Sequence, residues 1–127
     1  MLRILVIDDD EDMLTMVRLI LKENYYTVKT VTDVEKIFSI QHNFQPHLII
    51  IEMHLNHEDG LSLCKELKFI NKGHNVPILM YSQDKDLKNS YLGSGAEDYM
   101  IKPFTTNQLL DRINLIFSKS KYYFTPN

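Results

Sequence analysis

The chain has 127 residues, of which 44% are hydrophobic, and this is enough for one domain with a buried core. Its formal net charge of −3 excludes the basic excess that a nucleic-acid surface or an anionic membrane requires, so proteins or small cations are the expected partners. The single cysteine cannot form an internal disulfide, and no apolar run is long enough for a membrane span or a signal peptide, so we expect a cytoplasmic protein.

The N-terminal part of the chain predicts a strand, a helix and a second strand. Residues 3–7 are a short run of branched apolar residues, which predicts a buried strand that ends at Asp8. Residues 10–22 carry apolar residues at helical spacing, with acidic residues in the first turn, and predict a helix. Residues 26–31 alternate as a half-buried strand does.

A second helix and a third strand are predicted next. Thr32 and, three residues later, Glu35 form a predicted capping box for a short helix. Residues 48–51 are four consecutive apolar residues between Pro46 and a polar loop, which predicts a strand buried on both faces. Glu52 follows this run directly, so the strand places a carboxylate at its C-terminal end, where open α/β sheets have their binding crevices.

The rest of the chain continues the alternation of strands and helices. It predicts a helix at 60–71, a strand at 78–81, a weaker helix at 84–92, a strand at 98–101, and a helix capped by Thr105 or Thr106. Five strands that alternate with helices predict one parallel sheet covered on both faces. We expect residues 1–118 to form this domain and residues 119–127 to be a C-terminal tail or the stub of a linker.

Charged and hydroxyl side chains collect at the predicted C-terminal edge of the sheet. They are Asp8, Asp9, Glu52, Ser82 and Lys102. Carboxylates this close repel one another, so a cation or protons must neutralise them, and oxygen ligands favour Mg²⁺. Lys102 and Ser82 would complete a pocket for a phosphoryl group. The alternative to a binding site is a purely structural role, in which these side chains are solvated caps of the strand ends or form a partly buried ion pair.

Four motifs stand in order at this edge: residues 4–10 (ILVIDDD), residues 52–60, residues 77–82, and residues 95–104 (GAEDYMIKPF). In these motifs the chain from residue 4 to 117 resembles the receiver domain of two-component response regulators. The resemblance implies a flavodoxin-like three-layer sandwich with five helices and strand order 2-1-3-4-5.

The resemblance also implies roles for individual residues. The implied Mg²⁺ ligands are Asp8, Asp9, Glu52 and the backbone carbonyl of His54. Lys102 would pair with the acceptor carboxylate or with the phosphoryl group, and its bond to Pro103 would be cis. Ser82 and Tyr99 would be the two switch side chains.

Glu52 departs from the family, whose phosphoacceptor is an aspartate. One extra methylene displaces the carboxylate by about 1.5 Å, and a misplacement of about 1 Å can slow a reaction roughly a hundredfold. We therefore predict a signalling module, not an enzyme, that works by protein–protein interaction. Its expected partner is a histidine kinase, a downstream effector or a second copy, bound through the last two helices and the fifth strand.

Three other interpretations stay open. The first is a functioning phosphotransfer receiver that accepts a phosphoryl group from a histidine kinase on Glu52 with Mg²⁺. The second is a transition-metal site of Glu52, His54, His57 and Glu58, although solvated loop histidines explain this spacing more simply. The third is a flavodoxin-like small-ligand protein, which the missing glycine-rich loop and the absence of tryptophan disfavour.

Overall fold

The structure, a computed structural model, describes residues 1–119 as a parallel sheet between two layers of helices. Its elements are β1 (Arg3–Ile7), α1 (Glu11–Glu23), β2 (Thr27–Val31), α2 (Ile37–Phe44), β3 (Leu48–Glu52), α3 (Gly60–Ile70), β4 (Ile78–Ser82), α4 (Leu87–Ser90), β5 (Asp98–Ile101) and α5 (Thr106–Lys119). The sheet order is β2-β1-β3-β4-β5 with every pair parallel, which confirms the predicted flavodoxin-like topology.

Three short elements connect these strands and helices. Single 3₁₀ turns lie at Val34–Lys36 and Leu92–Ser94, and the two-residue strands His54–Leu55 and Glu58–Asp59 pair as a small antiparallel hairpin. We call this pair, with its turn, the 54–59 hairpin. It joins β3 to α3 and therefore lies beside the end of β3.

The sheet has a separate hydrophobic core on each face. Alternate residues of the central strands enter opposite cores, so that Leu5 and Ile49 pack with α2 and α3, whereas Ile4 and Ile50 pack with α1 and α5. Every residue of β3 is buried. A strand buried on both faces explains the uninterrupted apolar run in the sequence.

The predicted capping box at Thr32 is wrong. Asp33 is the N-cap instead, and its carboxylate accepts a hydrogen bond from the backbone N–H of Glu35 at 3.0 Å. The first turn is a 3₁₀ turn, so the short aspartate side chain reaches the second amide after it. Thr105, by contrast, is the cap of α5, because it and Gln108 exchange backbone-to-side-chain hydrogen bonds of 2.8 and 3.0 Å.

The predicted helix at 84–92 is shorter than expected. Asp84 accepts the backbone N–H of Asp86 at 2.9 Å, and this local turn delays the start of α4 until Leu87. The chain then tightens into the 3₁₀ turn that ends at Gly95, whose φ of 90° favours glycine.

Of the predicted tail, residues 119–127, the structure describes only the first residue. Lys119 ends α5, and residues 120–127 lie outside the described part of the chain. Within residues 1–119, no helix combines the length and the apolar composition that a membrane span needs.

Gly60 fixes the distance between α3 and the end of β3. Its N–H donates to the carbonyl oxygen of Met53 at 2.8 Å. A Cβ at this position would lie 2.6 Å from that oxygen and closer still to the carbonyl oxygen of Glu52. Only glycine fits here, because both contacts are with backbone that cannot move aside cheaply.

We expect Gly60→Ala to lower the free energy of unfolding by about 1–3 kcal/mol, although alanine is the better helix former. Urea unfolding measures this change. Gly73→Ala is the matched control, because a Cβ added at Gly73 would meet no atom within 4 Å. Equal stability of the two variants would contradict the close approach.

Candidate functional site

Three charged side chains from three strand ends meet at the C-terminal edge of the sheet. The Nζ atom of Lys102 lies 2.7 Å from Oε1 of Glu52 and 3.2 Å from Oδ2 of Asp8. Asp8 is 1% exposed and Glu52 is 7% exposed, so one ammonium group is shared between two buried carboxylates. We call these three residues the charged cluster.

The alternation of side chains along the strands explains why these three residues meet. Asp8, Glu52 and Lys102 each come two residues after a strand residue that faces α1 and α5, namely Val6, Ile50 and Met100. They therefore point to the same face of the sheet.

The charge of Lys102 is stabilised in this position. Burial alone lowers its pKa, but the hydrogen bond to Glu52 and the charge of Asp8 outweigh burial, so that its pKa is raised. Lys102 is therefore a cation at neutral pH, as the pairing with two carboxylates requires.

Backbone amides occupy further carboxylate oxygens of the site. Oδ1 of Asp8 accepts the N–H of Asp10 at 3.0 Å, and Oε2 of Glu52 accepts the N–H of His54 at 3.2 Å. Asp9 is not in contact with Lys102 in the structure, and its Oδ2 accepts the N–H of Asn56 at 2.8 Å. The 54–59 hairpin is thus tied to the acidic residues through two of its amides.

Sequence reasoning missed Tyr81, which belongs to this site. Its hydroxyl donates to Oδ2 of Asp8 at 2.6 Å, and its ring centroid lies 4.4 Å from Nζ of Lys102. Burial, followed by the charge of Asp8, raises the pKa of the Tyr81 hydroxyl, which stays protonated and able to donate. The available signal was a tyrosine at the end of an apolar strand, because a buried hydroxyl needs a partner.

Ser82 and Tyr99 lie toward the opposite face of the sheet. Ser82 is 2% exposed, and its Oγ accepts the N–H of Asp84 at 3.1 Å. The ring of Tyr99 lies 4.7 Å from the ring of Tyr91 and 5.7 Å from Cζ of Arg112. The structure therefore does not bring the two predicted switch residues into the charged cluster.

The His54 side chain points out of the cluster. Its Nε2 lies 2.9 Å from Oδ2 of Asp84, and this contact bridges the segments that follow β3 and β4 at the surface. The hydrogen bond with His54, followed by the N–H of Asp86, lowers the pKa of Asp84. The Lys102–Pro103 bond is cis, as the resemblance implies.

Comparison with known proteins decides the family. A family model described as the response regulator receiver domain matches residues 4–114. The chain belongs to the response regulator receiver domain family. As a receiver domain it is a signalling module of two-component systems.

Curated relatives of this receiver domain are longer proteins. It is 32% identical over 120 residues to protein RcaC of Microchaete diplosiphon, a match that covers 93% of this chain and 18% of that protein. It is 32% identical over 121 residues to the alkaline phosphatase synthesis transcriptional regulatory protein PhoP of Bacillus subtilis, a match that covers 94% of this chain and 50% of that protein. The chain thus spans half or less of the length of these relatives.

Two solved structures share its fold over nearly their whole length. A putative response regulator from Chloroflexus aurantiacus matches with a TM-score of 0.84 and 29% identity, covering 91% of this chain and 97% of that chain. A CheY-like receiver domain protein from Methanospirillum hungatei matches with a TM-score of 0.87 and 24% identity, covering 97% of this chain and 98% of that chain. The second match, at this identity, shows the fold alone.

The donor set of the receiver domain fits Mg²⁺ in its chemistry. In the part of the chain that the structure describes, no three or more His, Cys, Asp or Glu side chains are arranged together to hold a metal ion, and this applies also to the transition-metal alternative. Mg²⁺ does not need such a group, since it commonly binds one or two carboxylates and keeps several waters. The acidic side chains Asp8, Asp9 and Glu52 outnumber the one ammonium group of Lys102, so the edge remains negative.

Removal of the Lys102 ammonium group should destabilise the receiver domain. We expect Lys102→Met to lower the free energy of unfolding by about 3 kcal/mol at pH 7, because two buried carboxylates lose their cation. The pKa of Lys102 is raised in the folded state, so this stabilisation is complete below about pH 10.5 and is lost as the pH rises through the raised value.

Urea unfolding of both proteins from pH 7 to about pH 11 checks this prediction. Lys65→Met, which changes an exposed lysine of α3, is the control and should leave stability nearly unchanged. A Lys102→Met variant as stable as the wild type at pH 7 would contradict the assigned role.

Proposed function

We propose that this receiver domain signals by protein–protein interaction and that Glu52, at the position of the phosphorylated aspartate, does not accept a phosphoryl group. The buried carboxylate of Glu52, each of whose oxygens already accepts a hydrogen bond, carries this proposal. A phosphotransfer receiver needs one oxygen of that carboxylate aligned to attack a phosphorus atom in line.

Both oxygens of Glu52 have partners inside the protein. Oε1 accepts from Lys102 at 2.7 Å, Oε2 accepts from the N–H of His54 at 3.2 Å, and the residue is 7% exposed. The longer side chain carries the negative charge further from the end of β3 than aspartate would. The longer side chain of Glu52 thus supports a permanent ion pair with Lys102 in the space that a phosphoryl group would otherwise take.

Mg²⁺ remains the proposed cofactor of this edge. Asp8, Asp9, Glu52 and the backbone carbonyl of His54 would hold it, as the family resemblance implies. When bound, it would neutralise the excess negative charge that Lys102 alone leaves. Its proposed role here is therefore to stabilise the acidic edge.

The proposed partner surface is formed by α4, β5 and α5, with the turn between α4 and β5. Leu92 is 69% exposed in the turn and Leu115 is 47% exposed on α5, where Arg112, one helical turn before Leu115, pairs with Asp98 at 2.8 Å. Apolar side chains rimmed by an arginine and an aspartate are typical of an interface. We propose that it binds a histidine kinase, a downstream effector or a second copy.

Ser82 and Tyr99 are the proposed switch residues between the acidic edge and the partner surface. Ser82 ends β4 and pairs with Ile101 of the neighbouring β5, and Tyr99 lies on β5 against Tyr91 and Arg112. Tyr99 packs on the side of the sheet that carries α4. A change at the acidic edge would reach the partner surface through these two side chains.

Intact mass after incubation with Mg²⁺ and acetyl phosphate tests the proposal. We expect no phosphoryl gain in the wild type and a gain in Glu52→Asp, because the shorter side chain withdraws the carboxylate by about 1.5 Å. Glu58→Asp is the matched control in the exposed hairpin and should behave like the wild type. Stoichiometric labelling of Glu52 in the wild type would establish the phosphotransfer alternative.

Sedimentation velocity tests self-association through the partner surface. We expect the dimer dissociation constant of Leu115→Glu to be about tenfold or more above that of the wild type. The reason is that burying an unpaired charge costs more than about 1.4 kcal/mol. Leu19→Glu is the control, because Leu19 is 59% exposed on α1, outside the proposed partner surface. A wild type that stays monomeric at all concentrations would exclude the second copy as the partner.

A further inference from the structure

Tyr81 contacts two of the three members of the charged cluster. Its hydroxyl donates to Oδ2 of Asp8 at 2.6 Å, and the face of its ring lies 4.4 Å from Nζ of Lys102. The side chain is 0% exposed, and the ring also packs against Phe104 at 5.9 Å between centroids. Tyr81 is therefore held between the sheet and α5 with its polar end in the acidic site.

The oxygen that Tyr81 binds is the one that faces Lys102. Oδ1 of Asp8 is turned to the backbone N–H of Asp10, whereas Oδ2 receives both the Tyr81 hydroxyl and the Lys102 ammonium group. A hydrogen bond from a hydroxyl to a carboxylate is about twice as strong as one between neutral groups. It withdraws negative charge from the atom that a cation entering the cluster would use.

A tyrosine hydroxyl beside a carboxylate has two possible effects on metal binding. A donor to a metal ligand often orients that ligand and strengthens binding, so that its removal weakens the affinity by about 10- to 100-fold. Here the hydroxyl and Lys102 share one oxygen, and the ring of Tyr81 also holds Lys102 in place by a cation–π contact. Both contacts favour the arrangement in which Lys102, and not a metal ion, neutralises Asp8.

We propose that Tyr81 is a positioning residue whose hydroxyl holds Asp8 on Lys102 and thereby lowers the affinity of the receiver domain for Mg²⁺. The inference rests on the proposed placement of Mg²⁺ at this edge. On this proposal Lys102 is the cation of the cluster when no metal is bound. Mg²⁺ competes with it for Asp8 and must break the hydrogen bond between Asp8 and the Tyr81 hydroxyl.

Mg²⁺ titration of Tyr81→Phe tests the proposal, because this variant keeps the ring over Lys102 and removes only the hydroxyl. We expect tighter binding by about tenfold, as the loss of one hydrogen bond to a charged group predicts. Affinity is measured from the backbone amide shifts of Asp9 and Asn56 as MgCl₂ is added. Tyr26→Phe removes the hydroxyl of a partly buried tyrosine in the same core layer, whose ring lies 6.1 Å from that of Phe117, and should leave the affinity unchanged.

A measurement on the wild type keeps the proposal testable if Tyr81→Phe does not fold. The hydroxyl proton of Tyr81 is buried and hydrogen-bonded, so the ¹³Cζ signal of this tyrosine should show a resolved isotope shift in mixed H₂O and D₂O. Saturation with Mg²⁺ should move that signal, because Asp8 leaves the hydroxyl. An unmoved signal, or a folded Tyr81→Phe that binds Mg²⁺ no more tightly than the wild type, would overturn the proposal.

These results are independent of phosphorylation. Phosphoryl gain by the wild type would overturn the proposed interaction-only mode. It would not change the Mg²⁺ affinities of the two tyrosine variants, on which the role of Tyr81 depends. An unchanged Mg²⁺ affinity in Tyr81→Phe would overturn the positioning role of Tyr81. It would not affect the result of the mass experiment on phosphorylation.

Discussion

The ammonium group of Lys102, shared between Asp8 and Glu52, is the interaction on which the acidic edge depends. An unpaired buried charge is costly, and both carboxylates are almost completely buried, so neither is tolerated there without this cation. The lysine follows β5, whereas Asp8 follows β1 and Glu52 ends β3. The ion pair thus requires that three strand ends lie in register, and the parallel pairing of the sheet provides this register.

The surrounding loops are organised by the same excess of negative charge. Amides of Asp10, His54 and Asn56 turn toward the carboxylates, so the segments after β1 and β3 are held by hydrogen bonds to charged acceptors. Gly60 permits the 54–59 hairpin to return close to the end of β3, because its missing side chain leaves room for two carbonyl oxygens. Packing and electrostatics therefore fix this loop together.

If Glu52 stands at the family's acceptor position, as we propose, it preserves the charge of that position and changes its reach. The electrostatic framework of a receiver domain is retained, since Lys102 still has its carboxylate partner. The extra methylene lets that carboxylate engage the lysine and its own loop at once, which supports a stable internal pair in place of a reactive group. We propose that such a domain acts through its surfaces, and that a partner binds at its exposed leucines on α5 and on the turn between α4 and β5.

The sequence by itself determined the order of strands and helices, because each buried strand is an apolar run and the longer helices have a 3.6-residue period. It also determined that Asp8, Glu52 and Lys102 lie at one edge, since residues at the ends of parallel strands must meet there. Tertiary structure alone decided that Tyr81 joins them, because its hydroxyl finds a partner 73 residues away in the chain. Local competition for backbone amides, which depends on the turn geometry, likewise decided the cap of the turn before α2 and the start of α4.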